Sequence, residues 1–322
     1  MKNLPALVIC YRRPHYLRQL LESLTENSPS AVYISIDAAR DGDPKELLLV
    51  EECKNIAKEY RSISNFPVRI LHRERNLGSA INVITSIDWF FSFEEEGAIL
   101  EEDCIPSNTF LDYVKKSLFA IKNIEKILIV SGTRPLTRTR LPDGLLLTHL
   151  PLNWGWGTSR IKWEIIKDLI INLSSNYKIR EIPFMKPTEM FLYIGGLRGL
   201  RGWTDVWDTI LASSMLKHNY LTLIPPKNMI SNIGVDSLGL NTKAGDPQLL
   251  RAASEYCSPM EIEVPITNRI SVAKIDKIIY EEVIGIGKKH LIFPPLKFIA
   301  QKVLRWNRGR GSLAERLGRA NV

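Results

Sequence analysis

Cysteine is scarce in this chain, with four among 322 residues, and Cys10, Cys53, Cys104 and Cys257 stand too far apart to form a CxxC pair. That excludes the common zinc frameworks and a disulfide scaffold, and it suits a reducing compartment. The five histidines (His15, His72, His149, His218, His290) have no metal-ligand spacing either. A Walker loop, a Rossmann GxGxxG, a GxSxG and an HExxH are all absent. P-loop NTP hydrolysis, dinucleotide redox chemistry, serine hydrolysis on an α/β-hydrolase elbow and zincin proteolysis therefore have no support. Long apolar runs are missing too. Only about five apolar residues precede Arg12 and Arg13, and no later run approaches the roughly 18–20 residues of a membrane span. The expected compartment is the cytoplasm.

What is present is ordinary for a globular protein: 45% hydrophobic and 24% charged residues, enough for a sizeable core. The length fits one large domain, or a domain with an appendage. The net charge of +8 is unevenly placed. Nine Lys and Arg against Glu315 alone fall between Ile286 and Val322, so residues 1–285 are neutral. In that tail Leu296, Ile299, Val303, Leu304 and Trp306 share one helical side, with Lys302 and Arg305 opposite and Phe298 breaking the pattern. Such a basic amphipathic segment suits an anionic membrane surface, giving an enzyme at the inner face of a cell membrane. The competing reading is a helix packed on the domain. No recognised nucleic-acid-binding module accompanies the basic tail, so nucleic acid is not an expected partner.

The first hundred residues alternate strand and helix signals. Ala6–Cys10, Val32–Ile36, Val68–Leu71 and Ala98–Leu100 are apolar runs separated by helical patterns that begin near Pro14, Lys45 and Asn76. Strands at this interval imply βαβ units and an α/β fold with a mostly parallel sheet flanked by helices. The second half is less regular. Lys126–Ser131 and Tyr220–Ile224 read as strands, and Ser159–Leu173 and Thr204–Lys217 as helices. Thr133–Leu147 reads as a loop or hairpin, and the polar, glycine-rich stretch from Gly234 to Gly245 as a mobile loop over a site.

The densest chemistry lies in Gly97-Ala-Ile-Leu-Glu-Glu-Asp103-Cys-Ile-Pro106, an apolar strand ending in three acids. Carboxylates at the carboxyl end of a central strand make a hard oxygen site, suited to Mg²⁺ or Mn²⁺ carrying a phosphate-bearing substrate. Asp103 is best placed to reach out. Strand alternation puts Glu101 on the same face and turns Glu102 away. Asp37 ends the second strand, where an acid accepts hydrogen bonds from a ribose or base, or serves the turn; Asp41 and Asp43 belong to that turn. Arg12-Arg13-Pro14 offers a guanidinium and a helix start to a diphosphate. Trp154-Gly-Trp156-Gly157 offers flat faces to a sugar, or else a tight turn packed by two indoles. Asp205 and Asp208 lie three apart on one helical face, Asp205 as a cap or acceptor contact and Asp208 as a general base toward an acceptor hydroxyl.

Taken in order, these pieces resemble the GT-A glycosyltransferases, specifically the nucleotide-sugar transferases similar to N-acetylglucosaminyltransferase I and their bacterial relatives. The resemblance rests on Arg13-Pro14, Ile36-Asp37, Asn76-Leu-Gly78, Leu100-Glu-Glu-Asp103, Asn153-Trp-Gly-Trp156, Trp207-Asp208 and Pro226 through Gly234. It implies a GT-A domain over residues 1–270, with a nucleotide-sugar-binding half (1–105), an acceptor half (106–270) and a basic C-terminal helical extension (271–322). It further implies that Asp103 contacts a divalent cation and that Glu101, with Glu102 and Asn76 nearby, helps hold the donor. Asp37 and Arg13 would bind the nucleotide, Asp208 would be the inverting base, and Trp154, Trp156 and Asp205 would meet the sugar or acceptor. The implied donor is a UDP-sugar such as UDP-GlcNAc. The implied acceptor is a saccharide or lipid-linked glycoconjugate of a bacterial surface polysaccharide. The family often has Asp-Asp where Glu102-Asp103 stands, bacterial relatives tend to show Asn at the place of Arg12, and no late histidine falls between Asn232 and Gly245. The rival readings are a sugar-phosphate nucleotidyltransferase, which needs a glycine-rich loop that Cys10–Pro14 lacks, and a noncatalytic nucleotide-sugar-binding scaffold.

Overall fold

The computed structural model describes residues 3–171, 207–234, 271–283 and 313–320. The apolar pentads β1 (Ala6–Cys10) and β2 (Val32–Ile36) are buried along their whole length, as continuous apolar strands covered on both faces should be. With β3 (Val68–His72) and β4 (Glu96–Glu101) they form a parallel block. The sheet continues through β8 (Trp156–Ser159), β6 (Ile127–Ser131), β9 (Leu221–Ile224) and β7 (Leu146–Thr148), in the order β3-β2-β1-β4-β8-β6-β9-β7. β8 runs antiparallel between β4 and β6, β9 is parallel to β6, and β7 is antiparallel to β9.

Helices cover both faces because side chains alternate along each strand. Ala6, Val8 and Cys10 of β1 join one cluster with the buried stripe Leu17, Leu20, Leu21 and Leu24 of α1 (Pro14–Glu26), with α2 (Pro44–Ile63) and with α4 (Phe110–Ala120). Leu7 and Ile9 enter the opposite cluster with α3 (Ser79–Phe91), α5 (Arg160–Ile171) and α6 (Asp208–His218). This is the expected α/β architecture. Asp43 caps α2, its carboxylate accepting the Glu46 N–H at 3.0 Å, so it belongs to the turn as read from sequence.

Four short strands were not anticipated. β7 lies in the region read as loop or hairpin, and β8 in the Trp-Gly-Trp-Gly segment. β5 (Cys104–Pro106) pairs antiparallel with β10 (Ile230–Asn232) in a separate ribbon. The helix expected from Thr204 begins at Asp208, with Trp207 as its cap, while 204–206 lie outside the described residues. Two pieces of the C-terminal region pack on the domain. Ile275, Ile279 and Tyr280 of α7 (Val272–Glu282) join a third cluster beside β7, and Leu317 of α8 (Leu313–Ala320) enters the cluster of α3. The amphipathic segment 296–306 lies outside the described residues. Among the described residues no helix is long and apolar enough to cross a membrane.

Candidate active site

The carboxyl ends of β1, β2 and β4 point the same way, so the residues that follow them gather at one edge of the sheet, where open α/β sheets bind ligands. Arg13 stands at the centre. It precedes α1 in a non-helical conformation (φ −118°, ψ 73°) and aims its guanidinium at the end of β4. Arg13 Nε donates to Glu102 Oε1 at 2.8 Å, and Nη2 lies 2.8 Å from Asp103 Oδ2. Glu102 and Asp103 are 6% and 8% exposed. The expected strand alternation, with Glu102 turned away, does not hold. β4 ends at Glu101, Glu102 and Asp103 form a turn, and one guanidinium takes both carboxylates. Burial alone would release the Arg13 proton, but the charges of Glu102 and Asp103 outweigh it and push the group up.

Around this clamp the acids outnumber the cation. Burial pushes the half-buried Glu101 up to about 8, with further contributions from the charges of Asp103, Glu102 and Asp208 and opposition from Arg13. Glu102 is raised by burial against the pull of Arg13. Asp208, in the first turn of α6, is raised by burial although its carboxylate accepts the Thr209 N–H at 2.7 Å. Asp208 thus belongs to the same electrostatic site as Glu101, although more than a hundred residues separate them in sequence.

The acids here offer carboxylate oxygens, the hard donors a divalent cation takes, and at Asp103 a guanidinium occupies that position. Gly234 packs closely over this pair: a Cβ on it would lie 2.0 Å from Asp103 Oδ2 and 2.8 Å from Arg13 Nη1. Gly234 arrives there because β10 pairs with β5 and the Ile233 N–H donates to the Asp103 carbonyl at 2.9 Å. Among the described residues no three His, Cys, Asp or Glu side chains group into a metal cage, so a bound ion would need substrate oxygens as well. Gly234 escaped notice as a contact residue because only the β5–β10 pairing reveals what it covers.

Asp37 is buried at the end of β2. Its Oδ1 accepts the N–H groups of Ala38 and Leu77, both at 3.0 Å, and its Oδ2 accepts from Gly78 N at 3.2 Å and Asn76 Nδ2 at 3.3 Å. Asn76 also donates to the Ala38 carbonyl at 2.7 Å. The two residues therefore lock the β2 and β3 loops together. Burial pushes Asp37 up to about 6 against these amide donors. Arg12 pairs with Glu46 at 2.6 Å, and Arg40 joins it at 2.9 Å. Burial of Glu46 is overcome mainly by Arg40, and its carboxyl is held down to about 2. The Asp43-x-x-Glu46 spacing of a capping box was the available signal for this group.

Trp156 is a core residue, 1% exposed on β8 with its ring 6.0 Å from that of Trp207, and offers no face to a sugar. Gly155 explains the turn: it holds φ +57°, and its carbonyl accepts the Gly132 N–H at 2.7 Å. Trp154 is partly buried against the α1–α2–α4 cluster. Asp205 and the stretch from 235 to 245 lie outside the described residues.

No family model matches this chain. No curated protein matches it either. Among solved structures it is similar to UDP-glucose pyrophosphorylase complexed with UDP-glucose, at 9% identity, covering 72% of this chain and 93% of that one with a TM-score of 0.40. At so low a TM-score the likeness fixes neither ligand nor reaction, and the site has to be read from its own residues.

Proposed function

We propose that this chain is a metal-dependent, inverting glycosyltransferase of the GT-A kind that moves a sugar from a UDP-sugar to a saccharide or lipid-linked acceptor. The observation that carries this reading is the pair Glu102 and Asp103 sharing one guanidinium at the carboxyl edge of a parallel sheet, with Glu101 beside them and the charge of Asp208 acting on Glu101. An edge with more acids than cations suits a cationic ligand complex. In this reading Asp103 would hold a Mn²⁺ or Mg²⁺ ion, Glu101 would help to hold the donor, and the ion would supply positive charge for the leaving diphosphate. Arg13 supplies hydrogen bonds to the same phosphates. The loop that Asp37 and Asn76 lock presents the nucleoside's surroundings. Asp208, raised by burial, accepts the acceptor's hydroxyl proton as that oxygen attacks the anomeric carbon from the face opposite the diphosphate. The basic residues of 286–322 would bring the enzyme to an anionic membrane carrying lipid-linked acceptors.

Calorimetric titration with nucleotides and nucleotide-sugars, with and without Mn²⁺, tests the donor site on wild type and Asp103→Ala. UDP or UDP-sugar binding that requires both Mn²⁺ and Asp103 is the expected result. Preference for a nucleoside triphosphate would replace the reading with a nucleotidyltransferase, and no binding to any nucleotide would leave a scaffold. Retention of anomeric configuration, read by NMR of the product, would remove Asp208 from its role.

A further inference from the structure

Arg13 already pairs with two carboxylates, although the function proposed above also needs it for phosphate. Its Nε and Nη2 each sit 2.8 Å from an acid oxygen, and its side chain is 15% exposed. The Gly234 backbone closes over the pair. A cation arriving at Asp103 must therefore displace a guanidinium, not water. A guanidinium displaced within this enclosure keeps Glu102 but loses half of its counter-charge, and an under-compensated buried charge is costly.

We propose that Arg13 is an exchangeable counter-ion: it occupies Asp103 in the free protein and transfers to the donor's diphosphate when a divalent cation takes Asp103. This rests on the donor-site reading above. Two consequences follow from charge balance. The metal alone binds weakly, because Arg13 competes with it for the same oxygen. Metal and nucleoside diphosphate bind with mutual reinforcement, because the diphosphate supplies the anion that Arg13 gives up. Arg13 thus sets an order on the site: the carboxylates open fully to a metal only when phosphate is present to receive the arginine.

Direct metal–phosphate contact would also couple the two ligands, so the discriminating measurement is metal binding with no nucleotide. Arg13→Met removes the competitor, and its affinity for Mn²⁺ alone, read by EPR of free Mn²⁺, should rise on the order of tenfold above wild type. Its affinity for UDP in the presence of Mn²⁺ should fall by a similar factor, within the range of ordinary coupling energies. A merely structural arginine would lower both affinities. If Arg13→Met does not fold, as judged by circular dichroism, the wild-type protein carries the test. With arginine labelled in ¹⁵N, the Arg13 Nε–H resonance, assigned by its loss in Arg13→Lys, should be protected in the free protein. It should broaden when Mg²⁺ is added alone at high concentration and return at a new shift with Mg²⁺ and UDP. Mn²⁺ affinity in Arg13→Met equal to or below wild type overturns the exchange while leaving the donor site standing, and so does an Arg13 signal indifferent to Mg²⁺. Absence of UDP binding by wild type overturns both.

Discussion

Gly234→Ala should disable the site through one methyl group. The Cβ would lie 2.0 Å from Asp103 Oδ2, 2.7 Å from its Cγ and 2.8 Å from Arg13 Nη1. A carbon and a carboxylate oxygen need well over 3 Å, so something must move by about an ångström. Asp103 is a short side chain pinned by Arg13 at 2.8 Å, and it yields only by rotating out of that ion pair. The Gly234 backbone has little freedom to retreat, because its N–H donates to Asn232 Oδ1 at 2.9 Å and Ile233 is bonded to Asp103. Overpacking of this size costs about 1–3 kcal/mol. In a protein this large that lowers the melting temperature by roughly 2–12 °C, at about 2–4 °C per kcal/mol. The expected pattern is a modest loss in thermal melting with a large loss of Mn²⁺-dependent UDP binding, both read on the same preparation. Unchanged melting together with unchanged UDP binding would show that Gly234 does not stand over Asp103 as described.

Three other perturbations test the scaffold. Asp276 of α7 accepts from Thr148 Oγ1 at 2.5 Å, from His149 N at 3.0 Å and from His149 Nδ1 at 2.7 Å. Burial would lower His149, but the bonds to Asp276 and Asn219 raise it. The stabilisation from this pair is therefore complete below the unfolded histidine value of about 6.5 and is lost as pH rises through the higher folded value. Asp276→Asn should flatten that slope in chemical denaturation followed from pH 5.5 to 8.5, and a parallel slope in the variant would refute it. Lys162, buried with its ammonium on the carbonyls of Ile121 at 3.0 Å and Ile124 at 2.9 Å, is pushed down to about 8 by burial. The unfolded chain binds the proton up to about 10.4, so stability should rise between pH 8 and 10, and Lys162→Met should abolish that rise. Gly155→Ala forces a side chain into φ +57° and puts Cβ 2.3 Å from Ile230 Cδ1; it should cost about 2–5 kcal/mol by summing backbone strain and overpacking, and a melting curve matching wild type would contradict the turn.

Much of this site was legible because it follows strands. Arg13, Asp37 and Glu101–Asp103 each stand at the end of an apolar run, and parallel strands deliver their carboxyl ends to one edge whatever the sequence between them. Periodicity located β1, β2, β4 and the buried leucines of α1 for the same reason. The pairing of Glu102 with Arg13 was not legible, because the period of two stops where the strand does and a turn obeys other rules. For Trp156 the second of the two sequence readings, the packed turn, is the one the structure shows. Its neighbours Gly155 and Gly157 serve that close packing. A Cβ on Gly157 would meet Val114 Cγ1 at 2.2 Å, so that glycine lets α4 approach the sheet. Gly234 and β10 depend on a partner strand more than a hundred residues away, which local pattern does not reveal.

The charge arrangement leaves this edge short of positive charge among the described residues. Buried carboxylates are retained only when paired or coordinated, since an isolated buried charge shifts its pKa and neutralises. Glu46 is the paired case: Arg40, helped by Tyr11, outweighs its burial and holds it down to about 2, and Arg12 also pairs with it. Glu101 is the opposite case, pushed up to about 8 by burial and by the charges of three acids, with no cation paired to it among the described residues. The chain could have placed a second arginine at this edge, as it did for Glu46 on the neighbouring loop. Among the described residues it pairs neither Glu101 nor Asp208 with one, and a site that repels its own charges is stabilised by a positive ligand. Arg13 is held by two other carboxylates at 2.8 Å and acts on Glu101 only through its charge. A compact, hard cation that also takes phosphate oxygens is the kind of ligand that would answer this imbalance, which is the ligand the proposed chemistry calls for.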